Sequence, residues 1–285
     1  MRISRENIQV EGHLLNCMIM DPELLERKTN VQGVCLFTHG QGDYSERYSE
    51  VLHPFTERGI RCIIFDLPGH GDSPGKRGHV GDLEFIDKVI EKGLEMAGGL
   101  PYGIAGHSMG GLLTLRHLTL SLQGLLPLPQ YCWINAALLS PAENKSDLFI
   151  KCAKLFSKIC PNLMVKTGTS PELCRTEIAD TYVRKPGAKR SSHQHISIKW
   201  GVELIKASEF VRDQLPLIKS EIPLLYTQGG TDFICPDHLA EAFFTKLNFN
   251  NKTYKLFPEM RHETFAEPDR ESLFKTIGTW LDKHD

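Results

Sequence analysis

Tyr102-Gly-Ile-Ala-Gly-His-Ser108-Met-Gly-Gly-Leu-Leu-Thr-Leu115 is the stretch that decides the fold. A short apolar run, Tyr102–Ala105, has the continuous hydrophobicity of a buried strand, and Leu112–Leu115 opens a helix-like run. Gly106-His107-Ser108-Met109-Gly110 lies between them with Gly-x-Ser-x-Gly spacing. A serine flanked in this way, after a strand and before a helix, marks a sharp turn that lifts its hydroxyl into the open. The helix N-terminus beneath it favours a developing negative charge. Ser108 therefore reads as a nucleophile.

The same alternation continues on both sides. Val34–Thr38, Cys62–Phe65, Ala136–Leu139, Leu224–Thr227 and Tyr254–Phe257 read as further buried strands. Amphipathic stretches separate them: Leu83, Ile86, Val89, Ile90 and Leu94 recur at helical spacing and stop at Gly98-Gly99. Leu239, Phe243, Phe244 and Leu247 form another stripe, and Leu273, Phe274, Ile277, Trp280 and Leu281 the last. Strand–helix–strand order implies an α/β fold, a mostly parallel central sheet flanked by helices.

The alternation breaks between residues 141 and 213. Leu148, Phe149, Cys152, Leu155, Phe156 and Ile159 share one broad apolar helix face, and Pro161 ends it. Ser170-Pro171 has the form of a helix start, and a third helix runs through Ile198, Val202 and Ile205. No strand is legible here. The reading is a helical cap inserted between residues 1–140 and 214–285, with Leu148, Phe149, Leu155, Phe156 and Ile159 as candidate substrate contacts.

Length and composition exclude several classes. With 285 residues the chain buries a large core without a metal or disulfide to hold it. Its net charge of −2 lacks the basic excess of a nucleic-acid binder. No apolar run is long enough for a signal peptide or a spanning helix, and the eight cysteines sit in apolar segments without a C-x-x-C pair. They read as buried thiols of a reducing cytoplasm. No His/Cys cluster has ligand spacing, so no metal or other cofactor is implied.

A serine nucleophile needs a base, and the base an acid to orient it, in the chain order Ser, Asp or Glu, His. Asp232 follows the strand Leu224–Thr227, and His262 follows Tyr254–Phe257, each on a loop beyond a strand end. Asp237 competes with Asp232 but follows Pro236 inside the next helix. Of twelve histidines, the one later than His262 is His284, in the tail. Acyl transfer also needs backbone donors for the tetrahedral oxyanion. The amide of Met109 supplies one, and that of Gln41, in the glycine-rich turn His39-Gly40-Gln41-Gly42, the other.

Beyond these features, the chain resembles the α/β-hydrolase superfamily, and within it the monoacylglycerol lipase and lysophospholipase family (serine aminopeptidase S33-like hydrolases). The resemblance rests on His39–Tyr48, Asp66–Gly78, Gly106–Gly111, Gly229–Asp232 and His262, in the family's order. It implies Ser108 as nucleophile, Asp232 as orienting acid, His262 as general base, Gln41 and Met109 as oxyanion hole, and the insertion as a cap over an acyl pocket. Asp43 and Tyr44 stand where the family motif more usually has Glu and His. The expected activity is hydrolysis of monoacyl lipid esters. A lysophospholipase, a short-chain carboxylesterase or a peptidase related to proline iminopeptidases shares the motifs; a non-catalytic binding protein of this fold typically loses a triad member, and here all three are present. Ser108 at the turn argues against dehalogenases and epoxide hydrolases, which place aspartate there. Lys151, Lys154 and Lys158 flank the first cap stripe, so the cap is also a candidate peripheral contact with an anionic membrane. Lys185, Lys189 and Arg190 read as a solvated loop.

Overall fold

The computed structural model describes residues 1–23, 31–142, 145–167, 173–175 and 193–284. Ser170-Pro171 and the Lys185–Arg190 stretch lie outside them. Eight strands form the central sheet: β1 (Arg2–Val10), β2 (His13–Asp21), β3 (Gly33–Thr38), β4 (Ile60–Phe65), β5 (Tyr102–His107), β6 (Cys132–Asn135), β9 (Leu224–Gly229) and β10 (Lys252–Phe257). Their order is β1-β2-β4-β3-β5-β6-β9-β10. From β4 to β10 all neighbours are parallel, whereas β2 runs antiparallel to β1 and β4.

The helices are α1 (His53–Thr56), α2 (Leu83–Ala97), α3 (Met109–Leu122), α4 (Asp147–Ile159), the 17-residue helix α5 (Ile198–Gln214), α6 (Asp237–Lys246) and α7 (Glu271–Leu281). One apolar cluster fills the sheet face under α2, α3, α5 and α6; a second fills the opposite face with Phe55, Trp133, Leu273, Ile277 and Trp280. Burial on both faces is why the central strands are apolar without alternation. Helix ends follow their sequence signals. Asp82 caps α2, accepting from the Phe85 amide, and Gly98 closes it at φ 64°. No helix among the described residues is long and apolar enough to cross a membrane.

Four sequence expectations change. The strand placed at Ala136–Leu139 is Cys132–Asn135; the chain turns at Ala136, with φ 48°. The N-terminal hairpin β1–β2 was not foreseen, because Arg2, Arg5 and Glu6 give its exposed edge strand a polar pattern. The inserted block is not wholly helical: β7 (Met164–Lys166) and β8 (His195–Ser197) pair antiparallel. Finally, Cys152 and Cys160 are exposed, while the other six cysteines are buried.

The strand order places the site. Along β5-β6-β9-β10, His107 pairs with Asn135, Asn135 with Thr227, and Gly229 with Phe257. The carboxyl ends of β5, β9 and β10 therefore lie along one edge of the sheet, and the loops leaving them carry Ser108, Asp232 and His262. In open α/β sheets this edge is where ligands bind.

Candidate active site

Ser108 occupies the turn between β5 and α3 at φ 55° and ψ −118°. Such a backbone costs about 1–3 kcal/mol and persists where its surroundings enforce it. The flanking glycines do so. A Cβ on Gly110 would run into the carbonyl oxygens of Thr38 and His39, and one on Gly106 into Gly110 and Thr114. The Ser108 amide donates to the Asn135 carbonyl at 3.0 Å, and its carbonyl accepts from Leu138 at 3.0 Å. The hydroxyl thus stands at the head of α3.

His262 Nδ1 lies 2.8 Å from Asp232 Oδ2. The Asp232 carboxylate is fixed by three more donors: the amides of Ile234 and Cys235 at 2.8 Å each, and Gln228 Nε2 at 3.1 Å. Burial disfavours a charged His262, but the Asp232 carboxylate and the Cys235 sulfur outweigh it and hold the imidazole well above its ordinary pKa. Asp237, the competing carboxylate, starts α6 and accepts from the His238 amide.

Cys235 was missed by the sequence reading. Its sulfur lies within 4.8 Å of a His262 ring nitrogen and the Asp232 carboxylate, and burial pushes its pKa up. The sequence offered one signal, a cysteine three residues past Asp232 on the same loop. Asp232, Cys235 and His262 are also the one group among the described residues whose ligand atoms, all within 4.8 Å, could hold a metal. Both Asp232 oxygens already accept hydrogen bonds, so a cation there would have to displace them.

Two buried polar networks support these loops. Asn135 Oδ1 accepts from Thr227 Oγ1 at 2.9 Å and from Thr264 Oγ1 at 3.0 Å, while its Nδ2 faces His107 Nδ1 at 3.0 Å. Burial, with His262 and Arg47 nearby, holds His107 well below its ordinary pKa and keeps it neutral. In the second network, Arg47 makes a two-pronged bond to Glu263 at 2.9 and 2.6 Å and meets Asp43 at 2.9 Å. Tyr48 donates to Asp43 at 2.7 Å and accepts from the Gly40 amide at 3.1 Å, bracing the glycine-rich turn. Burial opposes the Arg47 charge, and Asp43 and Glu263 more than restore it.

A cavity of about 890 Å³ opens over Ser108 and His262, lined by Gln41, Phe149, Phe156, Val165, Ile198 and Val202 among others. Its size is that of a small-molecule site. Of the five cap residues expected to meet substrate, Phe149 and Phe156 line it. Leu148, Leu155 and Ile159 do not: they stand 71 %, 58 % and 67 % exposed. The apolar stripe of α4 is wider than one wall needs, and its second half turns to solvent. Lys154 pairs with Glu209 of α5 at 3.3 Å. The Gln41 and Met109 amides enter no turn, loop or cap hydrogen bond among the described residues.

An eight-stranded, mostly parallel sheet with a serine turn after β5 and acid and histidine loops after β9 and β10 defines an α/β-hydrolase, and the class is that of the ester hydrolases. Within it, the chain belongs to the serine aminopeptidase S33 family, whose model matches residues 29–269. Human monoglyceride lipase is 27 % identical over 286 residues, covering 96 % of this chain and 88 % of that one. Phospholipase YtpA of Bacillus subtilis is 29 % identical over 271 residues, 88 % of this chain and 95 % of that protein. An uncharacterised abhydrolase domain-containing protein of Dictyostelium discoideum, also 29 % identical, is longer: the match covers 93 % of this chain and 28 % of that one. Among solved structures, the monoacylglycerol lipase of Paleococcus ferrophilus superposes with a TM-score of 0.82 at 27 % identity, over 95 % of this chain and 99 % of that one. The protein is a monoglyceride lipase-like α/β-hydrolase.

Proposed function

We propose that the protein hydrolyses carboxylic esters of monoacyl lipids through an acyl-enzyme on Ser108. The observation that carries this reading is the His262–Asp232 pair, 2.8 Å apart, with His262 and Ser108 lining the same cavity. Ser108 Oγ attacks the ester carbonyl as His262 takes its proton. The Gln41 and Met109 amides receive the oxyanion. His262 then protonates the departing glycerol oxygen. Water, deprotonated by the same imidazole, attacks the acyl-enzyme and releases the fatty acid. Asp232 stays ionised throughout, holding the ring and stabilising the imidazolium. Residues 141–213 serve as the cap, and the acyl chain lies against Phe149, Phe156 and Val202.

The exposed ridge Leu148–Leu155–Ile159, with Lys151 and Lys158 beside it, supports a second part of the proposal: the cap rests on an anionic lipid surface. The cysteines fall in apolar segments without a C-x-x-C pair, which supports a reducing, cytoplasmic setting.

The test is a series of glyceryl monoesters and matched lysophosphatidylcholines from acetyl to stearoyl, assayed with wild type and Ser108→Ala. The expected result is a kcat/KM maximum on medium- to long-chain monoglycerides, with kcat lowered by about four orders of magnitude or more in the variant. Lys145 and Lys166 on the cavity wall favour a second reading, since they would meet a phosphate. A maximum on lysophospholipids would support that reading. Full activity in Ser108→Ala would sink both.

A further inference from the structure

Trp200 lies in the first turn of α5 and is fully buried, yet it is not part of the cavity wall. Its indole Nε1 donates to Gln41 Oε1 at 3.0 Å and also faces Met109 Sδ at 3.3 Å. These are the two residues to which the oxyanion donors are assigned, and they come from different core loops. One indole from the inserted block therefore touches the side chains of both.

The other end of the Gln41 side chain is held as well, because Nε2 donates to the His195 carbonyl of β8 at 3.0 Å. An indole N–H only donates and a carbonyl only accepts, so together they dictate the orientation of the Gln41 amide. The turn needs such a fixing. Gly40 and Gly42 flank Gln41, and Gly42 takes φ 77°, so the backbone itself resists deformation weakly. The same segment of the insertion is stitched to the core at three more points: the His193 amide donates to Gly42 at 2.9 Å, the Ser197 amide to Gly78 at 3.0 Å, and Ser197 Oγ pairs with His79 Nδ1 at 2.8 Å.

We propose that Trp200, with the His195 carbonyl, is a positioning residue for the oxyanion hole: it clamps Gln41 and Met109 so that their amides converge, and it ties the seating of the cap to the chemical step. The inference rests on the assignment of Gln41 and Met109 as oxyanion donors. A donor displaced by even an ångström loses much of its effect on a developing oxyanion. Because Trp200 does not line the cavity, substrate binding is spared.

Trp200→Phe removes the N–H and keeps an aromatic ring in the core; Gln41→Leu removes both side-chain bonds and keeps the backbone amide. With a water-soluble short-chain monoester, each variant is expected to lose about ten- to a hundredfold in kcat, and Trp200→Phe, which leaves the cavity wall intact, keeps KM within about twofold. The inhibition constant of a trifluoromethyl ketone, which forms an oxyanion on Ser108, should rise by the same factor, while inhibition by the fatty-acid product stays put. The double variant should lose less than the product of the two single losses, since both changes break the Trp200–Gln41 bond. An unchanged kcat in a folded Trp200→Phe, a KM effect alone, or multiplicative losses in the double variant would each overturn the proposal. If Trp200→Phe fails to fold, Gln41→Leu decides it by kcat and by the inhibition constant of the trifluoromethyl ketone. Ser108→Ala separates this failure from the larger one: a dead Ser108→Ala beside a fully active Trp200→Phe removes the clamp and leaves the hydrolase reading intact.

Discussion

His262 is where sequence order, geometry and titration meet. Its Nδ1 is held 2.8 Å from Asp232 and its pKa lies well above the ordinary value. General-base action needs the neutral imidazole of the free enzyme. The acid limb of kcat/KM should therefore inflect above the usual histidine value of about 6.5, activity falling as pH drops through it. The stability sign is opposite. A raised native pKa means that the paired imidazolium contributes stability fully below the unfolded value, and the contribution fades as pH rises through the native one. Asp232→Asn should lower the inflection and cut kcat by about four orders of magnitude. A pH–rate profile of both proteins checks this, and an inflection at or below the ordinary value in wild type refutes it. Ser108, Asp232 and His262 could be read from the chain because each follows a strand end in a fixed order. Cys235 and Trp200 could not. The spacing of Cys235 from Asp232 is its one local trace; the approach of Cys235 to His262, and of Trp200 to Gln41 and Met109, exists only once distant elements converge.

Among the elements, α4 shows how much a helical stripe can say. Its amphipathic period was plain in Leu148, Phe149, Leu155, Phe156 and Ile159, and so was its end at Pro161. Which part of the stripe the fold covers was not, because that depends on the neighbour across the cavity. Strand β6 failed for a related reason. Tyr131–Leu139 is almost uninterrupted apolar sequence, and nothing local announces the turn at Ala136 that frees Leu138 to bond the Ser108 carbonyl. β7 and β8 are three residues each, too short for a period. The exposed half of α4 carries its own prediction. Leu155 and Ile159 bury nothing in the core, so changing both to glutamate should leave fold and activity on soluble monoesters within about twofold. On monoglycerides in anionic vesicles the rate and the co-sedimented fraction should fall about tenfold, because apolar insertion is lost and like charges repel. Equal effects on both substrate forms would count against the membrane-facing cap.

Across the whole molecule, Arg47 ties the first strands to the last. Its guanidinium bonds Glu263, 216 positions away, at 2.9 and 2.6 Å, and Asp43 at 2.9 Å, with all three side chains buried. The link spans the carboxyl edge of the sheet from the loop after β3 to the loop after β10, the two segments that carry Gln41 and His262. The cluster holds two carboxylates against one guanidinium, and that asymmetry orders the consequences of breaking it. Arg47→Met strands both carboxylates away from water, and an uncompensated buried charge costs about 3–5 kcal/mol. Glu263→Gln leaves Arg47 paired with Asp43 and puts a neutral hydrogen-bonding group in the same space, so its cost should be smaller, about 1–2 kcal/mol. Urea unfolding of the two variants measures the order directly, with midpoints compared at equal slopes. If Glu263→Gln proves the more damaging, the cluster is held chiefly by its Glu263 contacts outside Arg47, and the view of Arg47 as the central cation of this closure is wrong.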